Sequence, residues 1–269
     1  MKIITELCQN HNGDINIVKD MVEQAKLGGA DICKIQSIKA DSLTNRSEYE
    51  TFRTYQSEYD RFKELELSYD DEKKFIEFCG NDITPMTTIF STNDYDYYNS
   101  LGYDYLKLSG YSMEEFNYGL KLDKFDFKHL VFSTSSLTLN EIKKCIDNLK
   151  GVDFTILHCV CLYPTPFEKV NLSSLELLKT LHDNIGLSDH SNNLLISKQA
   201  ILQGIDMLEK HFTILNKEKT RDGQVSINPQ ELRELNQFRK YSREQQFRIL
   251  NTFNDKQKFN HTYYKGRFK

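Results

Sequence analysis

The chain is expected to be a single-domain α/β protein, a (β/α)8 TIM barrel, and three observations support this. Its 269 residues suit one large domain. Eight short β-rich runs alternate with helical patterns along its length. No glycine-rich phosphate turn follows an early strand, which weighs against the alternative of an open doubly wound sheet.

The first strand is expected over 2–8. Asp14 then stands where it can cap a helix that carries Ile15, Val18, Val22 and Ala25 on one face and stops at Gly28 and Gly29. A second strand spans 32–37, and the remaining six fall at 84–88, 105–109, 130–133, 154–159, 185–188 and 207–211. Helical patterns lie between them at 70–79, 94–101, 114–122, 137–149, 172–181 and 193–203, and a last helix is expected over 229–250. The polar, tyrosine-rich segment 38–68 is too long for an ordinary connection, so it is expected to be an excursion over the C-terminal face of the barrel. No internal repeat is visible. The barrel domain is set at 1–250, followed by a basic, aromatic tail over 251–269.

Composition narrows the function class. A hydrophobic content of 39% is ample for a buried core, and a net charge of -4 gives no footprint for nucleic acid as a partner. No apolar run reaches the length of a membrane span, and the first residues meet Glu6 before any signal-like apolar region forms. The cysteines Cys8, Cys33, Cys79, Cys145, Cys159 and Cys161 are scattered without a CxxC pair. They read as reduced thiols, and a cytoplasmic protein is expected.

Chemistry in this fold sits where the strands end, on their C-terminal side. Side chains alternate along a strand, so residues two apart share a face. Glu6 ends the first strand; Lys34 and Gln36 share a face of the second, and Lys107 and Ser109 a face of the fourth. Ser133 ends the fifth strand, Ser188 and His190 share a face at the seventh, and Glu209 and His211 share one at the eighth. Strands seven and eight are neighbours, so His190 and His211 are placed to converge on one metal ion. Any one of these residues alone reads blandly, as a snorkelling lysine or a hydrogen-bonded histidine. Cys159 and Cys161 alone read as plain strand cysteines. Together, two inward lysines, several hydroxyls, two histidines and a carboxylate at one barrel end make an anion-plus-metal site.

At these strand ends the sequence resembles the N-terminal barrel of the sialic acid synthase family, N-acetylneuraminate synthase and its legionaminate and pseudaminate relatives. The matching segments are ITELCQNHNGD from residue 4, GGADICKIQS from 28, LVFSTSSLTLNEI from 130, LHCVCLYPTPFEKVNL from 157, IGLSDHS from 185, LEKHFTI from 208 and TRDGQVSINPQEL from 220. The resemblance implies phosphoenolpyruvate as donor, an open-chain N-acylated hexosamine such as N-acetylmannosamine as acceptor, and a divalent metal, Mn2+ or Mg2+. It implies that Lys34 and Lys107 hold the donor, with Ser133 and Ser188 around its phosphate and carboxylate; Ser109, the face-mate of Lys107, is counted with the substrate-binding residues. It implies His190 and His211 as metal ligands, and Glu6, Gln36, Tyr163 and Asp222 as residues lining the sugar and metal region, Glu6, Tyr163 and Asp222 among the catalytic candidates. A homodimer is one assembly it leaves open.

The chain departs from the family pattern in places. The fourth-strand loop reads KLSGYSMEE, one residue short, with the usual acid displaced by Tyr111 or Ser112, so that Glu114 or Glu115 becomes the candidate replacement. Cys161 stands where an asparagine is usual, and the strand-three run reads TTIF. The family's C-terminal antifreeze-like domain is expected to be absent, which leaves the 38–68 excursion as the expected lid in preference to the tail. Two alternatives stand beside the synthase reading. One is a phosphoenolpyruvate- or pyruvate-using synthase or aldolase with another aldehyde, and the other a degenerate sugar-binding barrel without turnover.

Overall fold

The computed structural model describes residues 1–43 and 53–251. Eight parallel strands close into a barrel in sequence order, β1 (Lys2–Glu6), β2 (Ile32–Gln36), β3 (Thr84–Thr88), β4 (Tyr105–Leu108), β5 (His129–Ser133), β6 (Phe154–Cys159), β7 (Ile185–Asp189) and β8 (Met207–His211). The barrel closes through β1 and β8, with Glu6 beside His211 in the register. Helices α1 (Ile15–Gly28), α2 (Tyr55–Leu65), α3 (Tyr69–Cys79), α4 (Tyr95–Leu101), α5 (Leu139–Asn148), α6 (Ser174–Lys179), α7 (Leu194–Leu202) and α8 (Pro229–Lys240) surround it.

Period-2 alternation divides each strand between two cores. Outward residues such as Ile3, Cys33, Ile35, Leu106, Phe132, Ile156, Leu187 and Leu208 meet the helices in one continuous apolar cluster. Each large side chain buried there contributes about 1.5–3 kcal/mol. Helix α1 adds Val18, Met21, Val22 and Ala25, and α8 adds Leu232, Leu235 and Phe238. Inward residues form layers. Ile4, Ile32, Met86, Val131, Leu157 and Met207 fill the middle of the barrel. Below them the Lys2 ammonium meets the Tyr105 hydroxyl, and His129 is tied to Asp153 at 2.8 Å and Thr155 at 2.9 Å. The apolar middle layer leaves no channel, so the polar layer above it faces only the C-terminal mouth.

Local signals account for most helix limits. The Asp14 carboxylate accepts from Asn16 N–H, and Gly29 ends α1 at φ 79°. Thr138 with Glu141, and Asn228 with Glu231, form capping boxes at the starts of α5 and α8. Two expected helices differ. Residues 114–122 form short 3-10 turns instead, because Asn117, Tyr118 and Gly119 take left-handed backbone that an α-helix excludes. The helix expected over 229–250 is broken: α8 ends at Lys240, Tyr241 is extended at ψ 149°, and the chain is helical again over 243–251. At its end Arg239 donates to the Met1 and Gly29 carbonyls, so α8 runs back to the N-terminal face.

The 38–68 excursion is not a bare loop, since α2 occupies its second half behind a Thr54 cap. Arg61 of α2 donates to Gln9 at 2.8 Å, which seats the helix over the loop that follows β1, on the mouth side. Gly13, at φ 75°, makes that seat possible: a Cβ there would stand 2.6 Å from the Glu64 carbonyl oxygen. Gly13→Ala is therefore expected to destabilise the chain by more than about 1 kcal/mol. A thermal-unfolding midpoint equal to that of the unchanged protein would contradict this packing. Residues 44–52 of the expected lid and the tail from 252 onward lie outside the described residues.

Candidate active site

Above the apolar layer, each inward strand position carries a polar group, and the groups pair with one another. Lys34 of β2 has its ammonium against the Glu6 carboxylate of β1, 2.7 Å from the Thr88 hydroxyl of β3 and 3.7 Å from Glu209 of β8. Lys107 of β4 reaches across the barrel to the other Glu209 oxygen, which also accepts from Ser188 at 2.8 Å. Glu6 is fixed from behind by the Cys8 N–H at 2.7 Å. All four side chains are almost wholly buried.

Burial sets the charge states here. Desolvation lowers Lys34 to about 7, although Glu209 pulls it up, with Lys107 adding to the depression. Burial alone would raise Glu209, but Lys107 and Lys34 outweigh it and hold the carboxyl well below the usual range. Removing one member of such a buried network typically costs about 3–5 kcal/mol, because a charge is left uncompensated. One Glu209 oxygen has no hydrogen-bond partner among the described residues, so the network still has acceptor capacity.

The next layer up is the mouth. Ser133 accepts from Gly110 N–H at 3.0 Å and meets Ser135 at 3.2 Å, while Ser109 bonds Ser112 at 2.6 Å. Gly110 lets these loops touch, since a Cβ there would fall 1.8 Å from the Ser135 carbonyl oxygen. His190 donates Nδ1–H to the Val160 carbonyl at 3.0 Å, which leaves Nε2 as the acceptor, 3.3 Å from the Tyr163 hydroxyl. The Tyr163 ring stacks on His190 at 4.2 Å, and the His190 and His211 rings lie 5.2 Å apart, edge to face. Asp222 lies behind His211, with Oδ2 3.6 Å from its Nδ1.

Both imidazoles suit a divalent cation. Desolvation lowers His190 to about 4, and burial followed by the neighbouring His190 takes His211 well below its ordinary value, so both present neutral rings. The His190 Nδ1–H bond to a backbone carbonyl is the outer-sphere arrangement that orients a ligating histidine. His211 Nδ1 is buried and without a hydrogen-bond partner among the described residues, beside the Asp222 carboxylate.

Glu6, Lys34, Gln36, Lys107, Ser109, Ser133, Tyr163, Ser188, His190 and His211 all line one cavity of about 50 Å³ at the barrel mouth. Asp222 is not in its wall but stands behind His211. Glu114 and Glu115 do not reach the cavity; they border a neighbouring groove with Ser42, Leu43 and Lys121, and Tyr111 occupies the wall instead. Thr88, Phe90, Ser135 and Cys159 also line the wall, although the sequence does not single them out for the site. Thr88 and Ser135 lie on strand or loop positions whose inward direction only the closed barrel fixes. Glu209 was visible as the face-mate of His211, yet its place between two lysines depends on the closure of β8 onto β1.

Comparison with known proteins agrees with the geometry. A family model described as the NeuB family matches residues 21–246. The N,N'-diacetyllegionaminic acid synthase of Campylobacter jejuni is 31% identical over 247 residues, covering 87% of this chain and 73% of the relative. The enzyme of the same name from Legionella pneumophila is 33% identical over 251 residues, covering 87% and 69%. Among solved structures, the N-acetylneuraminic acid synthetase of Leptospira borgpetersenii superposes with a TM-score of 0.78 over 99% of this chain and 92% of its own, a likeness of fold at 23% identity. With a barrel closed in sequence order and a family match over most of its length, this chain belongs to the NeuB family and is a transferase.

Proposed function

We propose that this chain condenses phosphoenolpyruvate with an open-chain N-acylated hexosamine, giving a nine-carbon ulosonic acid and phosphate. The observation that carries the reading is the pair of buried lysines, Lys34 and Lys107, facing one cavity with Ser133 and Ser188. Phosphoenolpyruvate is multiply anionic, and fixed ammonium and hydroxyl groups are what hold such a ligand. The lysines rest on Glu6 and Glu209. Donor binding exchanges some of those carboxylate contacts for the donor's own anionic oxygens, so the site is charged and preformed at little cost in reorganisation.

The donor's C3 attacks the sugar aldehyde carbon, the C–C bond forms, and the carbonyl oxygen gains a proton. Water then adds at C2, and the adduct loses phosphate to leave the 2-keto acid. Glu6, in the cavity wall, would orient that water or the sugar hydroxyls, Asp222 would act from behind His211, and Tyr163 stacks on His190 on the proposed acceptor side. Gln36 and Ser109 supply neutral hydrogen-bonding groups at the rim. His190 and His211 would hold a divalent cation, Mn2+ or Mg2+, with water and substrate completing its shell. That ion supplies a Lewis acid for the aldehyde oxygen. The free thiols fit a cytoplasmic setting, which is also part of this proposal.

The test is phosphate release from phosphoenolpyruvate with Mn2+ and a panel of N-acetylmannosamine, its 6-phosphate and diacetamido hexoses. Release that requires one of these sugars is the expected result; release with none of them contradicts the reading. Donor affinity should also follow pH. A lysine at about 7 loses its charge as pH rises through that value, so the KM for phosphoenolpyruvate is expected to climb by up to about tenfold per pH unit above it. A KM unchanged between neutral and mildly alkaline pH would show that Lys34 does not carry donor binding in its charged form.

A further inference from the structure

On the outer side of the barrel wall, a buried ion pair joins the strand ends that carry the two mouth histidines. Asp189 of β7 and Lys210 of β8 are register partners, and each directly precedes a histidine, His190 or His211. Alternation turns both away from the cavity, to the side on which Leu187 and Leu208 join the apolar layer beneath the helices. They are almost wholly buried there. The Lys210 ammonium lies 3.2 Å from the Asp189 carboxylate, and it donates to the Asp189 carbonyl at 3.2 Å and to the Ser191 carbonyl. All three of its N–H donors are therefore used, two of them on the carbonyls that flank His190. Asp189 is held in turn. Its Oδ1 accepts from Ser191 N–H at 2.8 Å, and its Oδ2 accepts from the Ser197 hydroxyl of α7 at 2.5 Å.

A buried ion pair is weak evidence for stability, since apolar side chains of similar volume often serve as well. What an apolar pair could not do is fix the direction of two main-chain carbonyls. His211 needs no such help, because it ends β8 inside the ladder, beside Glu6. His190 lies one residue beyond the end of β7, so its ring keeps its place only if the turn 189–191 keeps its course. We propose that Lys210 is a positioning residue for the histidine pair. By holding the carbonyls on either side of His190 from the residue that leads into His211, it sets the edge-to-face arrangement of the two imidazoles, 5.2 Å apart, and Asp189 aims the ammonium. This rests on the reading of His190 and His211 as ligands of one ion, which needs both lone pairs directed at one point. The donor is assigned to Lys34 and Lys107, on β2 and β4. Loss of the Lys210 grip is therefore expected to lower kcat and leave the KM for phosphoenolpyruvate unchanged.

The experiment compares Lys210→Met alone with Lys210→Met combined with Asp189→Asn, both in the full, metal-stripped chain. The single change strands a buried carboxylate and should lower the unfolding midpoint. The paired change leaves no uncompensated charge, and an amide at 189 can still accept from Ser191 N–H, so the midpoint should recover. The grip on the two carbonyls stays lost. The first readout is the ring proton signals of His190 and His211 by NMR, assigned with single alanine variants. They are expected to move in both variants, while those of His129, at the other end of the barrel, stay in place. The second is Mn2+ affinity by electron paramagnetic resonance, expected to fall about ten- to a hundredfold in both, as for other groups that orient a ligating histidine. Ring signals that do not move in the paired variant, or manganese affinity restored along with its midpoint, would overturn the proposal and leave the pair a purely structural role. Neither readout needs donor or sugar. An unchanged protein that binds no manganese would contradict the ion at the two histidines, and the ring signals would still decide the role of Lys210.

Discussion

Replacing both His190 and His211 by alanine is expected to abolish metal-dependent turnover while leaving the barrel folded. The structural cost is modest. His190 loses its hydrogen bonds to the Val160 carbonyl and the Tyr163 hydroxyl and its stack on Tyr163, and His211 loses a ring whose Nδ1 had no partner among the described residues. Together these are worth about 1–3 kcal/mol, small against the apolar core of a barrel of this size. The catalytic cost is larger. Lewis-acid stabilisation of developing charge is worth several kcal/mol, so turnover should fall at least about a thousandfold. The check pairs manganese titration with circular dichroism. Unchanged manganese affinity in the folded double variant would place the ion elsewhere.

Lys34→Ala is expected to raise the KM for phosphoenolpyruvate about ten- to a hundredfold, the loss of one buried charge-assisted contact, with a much smaller effect on the sugar. It should also cost stability, because Glu6 and Glu209 then share fewer counter-charges in a buried site. The two effects separate by comparison with Glu209→Gln. That change removes the carboxylate beneath Lys34 and Lys107 and leaves both lysines without it. Its unfolding midpoint should drop in buffer and recover on adding phosphoenolpyruvate, because an anion restores the missing negative charge. Equal changes in KM for donor and acceptor in Lys34→Ala, or a Glu209→Gln midpoint indifferent to the donor, would count against this account of the anion site.

The barrel was legible because its strands obey a strict two-residue period between helices with clear starts. Lys34 with Gln36, Lys107 with Ser109 and Ser188 with His190 are face-mates by that period alone, and all six line the cavity. The partners of those residues were not legible. Glu209 meets Lys107 across the full width of the barrel, a contact between residues 102 apart in sequence. Helix α2 carries Tyr55, Tyr59 and Phe62 at helical spacing but is otherwise strongly polar and buries none of its residues, so the sequence shows it only as part of the excursion. The break in the last helix did carry a local sign: Ser242 and Gln245 bond one another's backbone N–H groups as a new start. Residues 114–122 carried one as well, since Asn117 and Gly119 are residue types that tolerate left-handed backbone.

The central claim is carbon–carbon bond formation at the donor's C3, and it has a direct test. Phosphoenolpyruvate labelled with carbon-13 at C3 is incubated with the chain, Mn2+ and an N-acylated hexosamine, and the product is followed by NMR. The account predicts that the label appears as the ring methylene of an ulosonic acid, in amounts equal to the phosphate released. Label recovered as the methyl group of pyruvate, or donor left unconsumed with every sugar of the panel, would contradict it.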